Sequence, residues 1–130
     1  MSPMVTWKNV KFRQLKPKEV REILNQQASA KHFDKDKPDV SQVPRELIEE
    51  VARVMQYGEG KYGKHNWRGG MKWSRLVGSI CRHMLAFNSG EDLDPESKLP
   101  HLAHAAANIG FLLNYANEHK ELDDRFKPEK

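Results

Sequence analysis

The chain is almost free of cysteine. Cys81 is the only one among 130 residues, so an internal disulfide framework and a cysteine-rich zinc site are both excluded, and the single thiol is expected to lie buried among apolar neighbours. Long hydrophobic runs are missing too. Nothing approaches the roughly 20 apolar residues that cross a bilayer, and Met1 to Lys11 do not read as a charged-then-apolar leader, so a cytoplasmic protein is expected. No alternating run is long enough for a strand, and there is no internal repeat. Two nucleotide fingerprints are absent as well: no G-x-x-x-x-G-K-[ST] loop occurs, and no G-x-G-x-x-G turn follows a strand.

What the chain has is charge. Charged residues make up 31% and the hydrophobic set 38%, too polar for a membrane protein but apolar enough to fold. The length suffices for one core. A net charge of +4 points to polyanionic partners, either nucleic acid or nucleotide phosphates.

Periodicity divides the chain into an N-terminal extension (1–33), a main domain (34–120) and a charged tail (121–130) expected to fray. The extension holds one helical candidate, Pro17 to Ala28, with Val20, Ile23 and Leu24 on one face. Asp34 to Asp39 mix both charge signs around Pro38, which favours an extended connection. From Pro44, the spacing of Leu47, Ile48, Val51, Val54 and Met55 predicts a helix that stops at Gly58. Five glycines between Gly58 and Gly70 then mark a loop. A second helix is predicted over Trp73 to Asn88 and a third after Pro100, through Leu102, Ala105, Ala106, Ile109, Leu112, Leu113 and Ala116. The predicted fold class is all-α.

Polar residues border these apolar faces in register. On the first main-domain helix Leu47, Val51 and Val54 form the predicted buried stripe, and Glu46 and Glu50 stack one turn apart on its shoulder. Like charges so placed repel, which a hard divalent cation would relieve; Glu49 is a possible third ligand. The alternative is a solvated acidic first turn complementing the helix dipole. On the third helix His101, His104, Asn108 and Tyr115 follow one another along a face. They suit metal ligation, contacts to phosphate, or plain hydrogen bonds at a helix start. Glu91 and Asp94 extend the acidic set from the preceding loop, where Asp94 or Ser97 could instead cap the next helix. The glycine-rich loop combines Lys61, Tyr62, Lys64, His65, Asn66, Trp67 and Arg68: cations for phosphate, aromatic faces for a base and an amide for a base edge. Arg82 and His83 would add to it from the second helix. The alternative is a basic surface loop whose Trp67 packs on the core.

Taken in order, P-R-E-L-I-E-E-V-A, Y-G-E-G-K-Y-G-K-H-N-W-R, R-H-M-L-A-F, G-E-D-L-D-P-E-S and H-L-A-H-A-A-A-N resemble the phage dATP/dGTP diphosphohydrolase family, itself similar to the MazG-like all-α pyrophosphohydrolases. The likeness runs from about Asp34 to Tyr115. It implies hydrolysis of a purine deoxynucleoside triphosphate to the monophosphate and pyrophosphate, with Mg²⁺ or Mn²⁺, in a MazG-like helical bundle completed by oligomerisation as a dimer or tetramer. The acidic motif on one helix of such enzymes corresponds to Glu46, Glu49 and Glu50, with Arg53 where a longer version has Glu. The later E-x-x-D motif is matched literally by Glu91 and Asp94, beside Pro95 in a loop, while His101 and His104 occupy the helical place of that pair. The implied metal ligands are Glu46, Glu50, Glu91 and Asp94. Glu46, Glu49 and Glu50 are the catalytic set. Substrate contacts fall to Lys61, Tyr62, Asn66, Trp67, Arg68, Arg82, His83, His101, His104 and Asn108. Nucleotide-pool control or a modified-base pathway would use such an activity. Two other classes remain: a basic nucleic-acid-binding helical module and a catalytically silent helical scaffold.

Overall fold

A computed structural model describes residues 14–27 and 29–129. It divides into two units, one ending at Pro38 and the other beginning at Asp39. In the first, helix α1 spans Pro17–Gln27; proline's fixed φ suits a first helical position, and Glu19 in the first turn complements the helix dipole. The reading of Met1 to Lys11 and the predicted last helical residue, Ala28, lie outside the described residues. The charged stretch after Phe33 is not simply extended. Lys37 N–H bonds the Asp34 carbonyl at 3.1 Å, closing a turn in which Asp36 takes φ 72°.

In the second unit Asp39 accepts from Ser41 N–H and caps a short 3-10 turn, Val40–Gln42. Helices α2 (Arg45–Tyr62), α3 (Trp73–Asn88) and α4 (His101–Glu118) follow. The bounds of α3 and the start of α4 match the periodicity. Helix α2 does not: it runs through Gly58 and Gly60 and ends at Gly63, φ 90°, whose N–H bonds the Glu59 carbonyl. Each interior glycine costs a helix only about 1 kcal/mol. Tyr57 and Lys61 offset this cost by anchoring the last turns to Glu96 at 2.9 and 2.6 Å. Among the described residues there is no strand, only an isolated bridge between Leu93 and Pro100. The fold is all-α.

Helix α4 packs against both α2 and α3. Its alanines allow this: Ala103 and Ala107, one turn apart, receive Val54 of α2, with Val51, Met55, Leu99 and Phe111 around them. The predicted stripe on α2 is buried only where α4 covers it. Val54 is buried, but Leu47 is 47% exposed, because the core that α2 shares with α4 begins at Val51. Cys81 is also exposed, contrary to expectation; it lies on α3 in line with the exposed Val77 and Met84.

The tail is docked at its start. Trp73 Nε1 donates to the His119 carbonyl at 3.1 Å. Asp124 accepts from the backbone N–H of Ser74 at 2.9 Å and from its hydroxyl, capping α3 from a remote part of the chain and holding the Asp124 carboxyl below its ordinary pKa. The α2–α3 connection is fixed to the same place. Tyr115, fully buried, donates to the Trp67 carbonyl, and His119 bridges the Arg68 carbonyl through Nε2 (2.8 Å) and Glu121 through Nδ1 (2.9 Å).

Two predictions follow from this anchorage. Gly70 sits at φ 94°, where a Cβ would stand 2.6 Å from Leu122 Cδ1 and 3.1 Å from His119 Nδ1; Gly70→Ala should destabilise by about 2 kcal/mol or more, and an unchanged melting temperature would refute the close packing. Both partners of the His119 ring accept hydrogen bonds, so the pair with Glu121 and the Arg68 carbonyl raise its pKa above 6.5. That contribution is complete below 6.5 and is lost as pH climbs through the raised value. The stability advantage of wild type over His119→Gln should therefore shrink as the pH climbs above 6.5 in urea unfolding; a constant or growing advantage would contradict it.

Candidate functional site

The turn joining α3 to α4 is a closely hydrogen-bonded frame. Asp94 N–H bonds the Leu99 carbonyl, Lys98 N–H bonds the Asp94 carbonyl, both at 2.8 Å, and His101 N–H reaches the Asp92 carbonyl at 3.0 Å. Within this frame Asp94 Oδ2 accepts from Ser97 N–H (2.8 Å) and Glu96 N–H (3.1 Å). Neither Asp94 nor Ser97 caps α4, whose first turn follows Pro100 without a side-chain cap. Asp94 instead closes its own turn, and Ser97 Oγ accepts from Leu99 N–H and meets His104 Nε2 at 2.7 Å.

Around this turn gather three imidazoles. His101 is 4% exposed; its Nε2 lies 2.7 Å from Glu91 Oε1 and its Nδ1 2.9 Å from His83 Nδ1. His83 stacks on His104, centroids 4.7 Å apart and planes 7° from parallel. Burial, reinforced by the neighbouring imidazoles, lowers the pKa of both His83 and His104 and holds them neutral near pH 7. Partial burial opposes ionisation of Asp94, but the Ser97 hydrogen bonds outweigh it and hold the carboxyl below its ordinary value. His83, Asp94 and His101 each offer a ligand atom, all within 4.8 Å of one another.

His83, Asp94 and His104 of this cluster line a cleft of about 660 Å³. The same cleft is also lined by cationic and aromatic side chains. Lys61 and Tyr62 come from the end of α2, Lys64, His65, Asn66 and Trp67 from the loop, and Arg75 and Arg82 from α3. Lys61 ties α2 to the α3–α4 turn through Glu96, and that ion pair raises the Lys61 pKa and lowers that of Glu96. Asn108 donates to Ser79 Oγ at 3.0 Å, tying α4 to α3 along the floor.

Of the residues singled out from sequence, Lys61, Tyr62, Asn66, Trp67, Arg82, His83, Asp94, His104 and Asn108 line this cleft. His101 and Glu91 stand behind it, bonded to each other. Trp67 is committed to packing: its indole lies 4.7 Å from the Phe111 ring at 15°, with the Arg68 guanidinium 4.5 Å over it. Arg68 lines a separate depression with Asn114, Glu118 and His119. Glu46, Glu49 and Glu50 lie outside the cluster. Glu49 pairs with Arg45 and Glu50 with Arg53, while Glu46 is on the exposed first turn. Steps of four, three and four residues nonetheless put Glu50 on the same stripe of α2 as Val54, Tyr57 and Lys61. Sequence reasoning missed Tyr57, Glu96 and Arg75. A helical reading of α2 through Gly58 would have carried Tyr57 and Lys61 onto one face; nothing in the spacing marks Arg75.

No helix is long and apolar enough to cross a membrane among the described residues. A family model described as dATP/dGTP diphosphohydrolase, N-terminal, matches residues 27–125. The curated dATP/dGTP diphosphohydrolase of Salmonella phage PMBT28 is 41% identical over 93 residues, 72% of this chain and 32% of the phage protein; the chain thus spans about a third of the length of that relative. No solved structure matches. Since the matched residues include α2, the glycine-rich loop, the hydrogen-bonded turn and every imidazole of the cluster, the chain belongs to the dATP/dGTP diphosphohydrolase N-terminal family.

Proposed function

We propose that this chain hydrolyses purine deoxynucleoside triphosphates, dATP or dGTP, to the monophosphate and pyrophosphate in a reaction dependent on a divalent cation, as a MazG-like pyrophosphohydrolase of the cytoplasm acting on the nucleotide pool or a modified-base pathway. The observation that carries this reading is the meeting of opposites in one cleft: Asp94 and Glu96 of the α3–α4 turn and the neutral imidazoles of His83 on α3 and His104 on α4 line it together with lysines, arginines and tyrosine from α2, the loop and α3. A nucleoside triphosphate needs both sets, cations for its phosphates and anionic or imidazole ligands for its counter-ion. A nucleic-acid-binding module would need only the basic set.

The donor set at Asp94, His83 and His101 fits a divalent cation, with Glu91 held against His101. Such a cation would supply Lewis acidity, drawing charge from the phosphates and lowering the pKa of nearby water. The chain's own groups do the rest. Lys61, freed from Glu96, with Arg75 and Arg82, neutralises charge growing on the departing pyrophosphate. Tyr62, 62% exposed at the cleft edge, stacks on the purine, and Asn66 hydrogen-bonds its edge. Water adds to the α-phosphorus, the bond to the α–β bridging oxygen breaks, and the proton passes to a carboxylate. Glu46 and Glu50 continue the cleft stripe of α2, Glu50 roughly 10 Å along the axis from Tyr57, where they reach the outer phosphates or their cation. Glu49 orients water after leaving Arg45. Exposed apolar residues on α3 and α4, including Leu85 and Leu113 at 69% each, support assembly into a dimer or tetramer.

Incubation of the purified chain with each dNTP and Mg²⁺ or Mn²⁺, with chromatographic separation of products, should yield monophosphate and pyrophosphate in equal amounts from the purine substrates and nothing in chelator. Orthophosphate as the product would refute the proposed bond cleavage, and absence of turnover together with steeply salt-dependent binding of single-stranded DNA would favour the nucleic-acid module. Tyr62→Ala should raise KM by about 5- to 150-fold, the value of one base stack, with Tyr62→Phe close to wild type; equal KM in both variants would remove Tyr62 from the site. Glu50→Gln should abolish turnover with the circular dichroism unchanged, and retained activity would free Glu50 of any catalytic part.

A further inference from the structure

The imidazoles of His83 and His101 share a hydrogen bond between their Nδ1 atoms, 2.9 Å apart. A cation could take the place of that proton with little movement of the rings, because two nitrogens each about 2.1 Å from a shared cation at right angles stand about 3.0 Å apart. Each ligand is also held from behind. Glu91 accepts from His101 Nε2, which places the ring proton there and turns the Nδ1 lone pair toward His83; a carboxylate behind a histidine in this way orients metal-binding imidazoles generally. His83 is fixed by its stack on His104, itself held by Ser97. Asp94 is clamped through Oδ2 by two backbone N–H groups, leaving Oδ1 for a ligand bond.

We propose that His83, Asp94 and His101 form a metal centre that takes a first-row transition-metal dication in preference to Mg²⁺. The donor chemistry decides the preference. Mg²⁺ demands near-ideal octahedral geometry and keeps its waters, whereas imidazole nitrogen suits Fe²⁺ and Zn²⁺, and affinity for first-row dications at a nitrogen and oxygen site rises from Mn²⁺ through Fe²⁺ to Co²⁺. Three protein ligands leave further coordination positions, and since His83 and Asp94 line the cleft, those positions open toward it. Any contact there with a triphosphate rests on the function proposed above. Uptake of the cation does not.

The test uses the full chain stripped with chelator, then titrated with Co²⁺ followed by its visible absorption and by calorimetry, without nucleotide. One Co²⁺ per chain should bind with nitrogen-ligand bands, and a hundredfold excess of Mg²⁺ should fail to displace it. Because His101 is buried and its replacement risks the fold, the ligand variants are His83→Gln and Asp94→Asn, checked by circular dichroism; both should lose the bands. Glu91→Gln should weaken Co²⁺ binding about 10- to 100-fold while keeping the spectrum. No stoichiometric binding, ready displacement by Mg²⁺, or Co²⁺ uptake untouched by His83→Gln and Asp94→Asn would each overturn the proposal. The two readings fail separately: Co²⁺ bound without nucleotide turnover leaves the centre standing and removes the hydrolase, whereas Mg²⁺-supported turnover without Co²⁺ binding does the reverse.

Discussion

The hydrogen bonds of Asp94 to its own turn are the constraint on which the site depends. By accepting from Glu96 and Ser97 while its backbone pairs with Leu99 and Lys98, Asp94 converts a polar connection into a rigid frame that ends where α4 begins. Three consequences share that origin. Ser97 is aimed at His104, Glu96 is presented to Tyr57 and Lys61, and His101 enters α4 with its ring between Glu91 and His83. A looser turn would leave the imidazoles without their supports and α2 without the anchor that carries it past two glycines. Local backbone chemistry thereby sets both the ligand cluster and the cationic lining of the cleft.

The rest of the unit serves the same end by close packing of small residues. Ala103 and Ala107 let α2 approach α4, which brings Tyr57 within 6.3 Å of His104, edge to face. At the far end Tyr115, His119 and the capping Asp124 hold the glycine-rich loop and the start of α3. The loop is therefore a fixed wall. The prominent exposed aromatic at the cleft is Tyr62, at the end of α2, since Trp67 of the loop is occupied by Phe111 and Arg68.

Much of this was legible in the residues. The 3.6-residue period gave α3 its bounds and α4 its start because both carry apolar side chains along their whole length, and the sequence G-E-D-L-D-P-E-S marked an acidic loop between them. Helix α2 was misjudged at its end because glycine propensity is a local prior, while the bonds from Tyr57 and Lys61 to Glu96 join residues 39 and 35 apart. The buried stripe through Leu47 and the burial of Cys81 were misjudged for a related reason: periodicity identifies an apolar face without saying how far a partner helix covers it. The carboxylates of α2 drew attention by spacing and by the family resemblance, whereas the three ligand atoms that converge among the described residues come from α3, the turn and α4; His83, Asp94 and His101 were each singled out, but their meeting at one point depends on the tertiary structure.

A crystal structure of the chain with Mn²⁺ and a dGTP analogue carrying an imido bridge between its α- and β-phosphates tests the central claim most directly. The account predicts an anomalous peak among His83, Asp94 and His101, with the triphosphate running toward Lys61 and Arg82 and the guanine against Tyr62. Metal and nucleotide seated instead on the outer face of α2 at Arg45 and Glu49, or in the depression by Arg68 and His119, would contradict it.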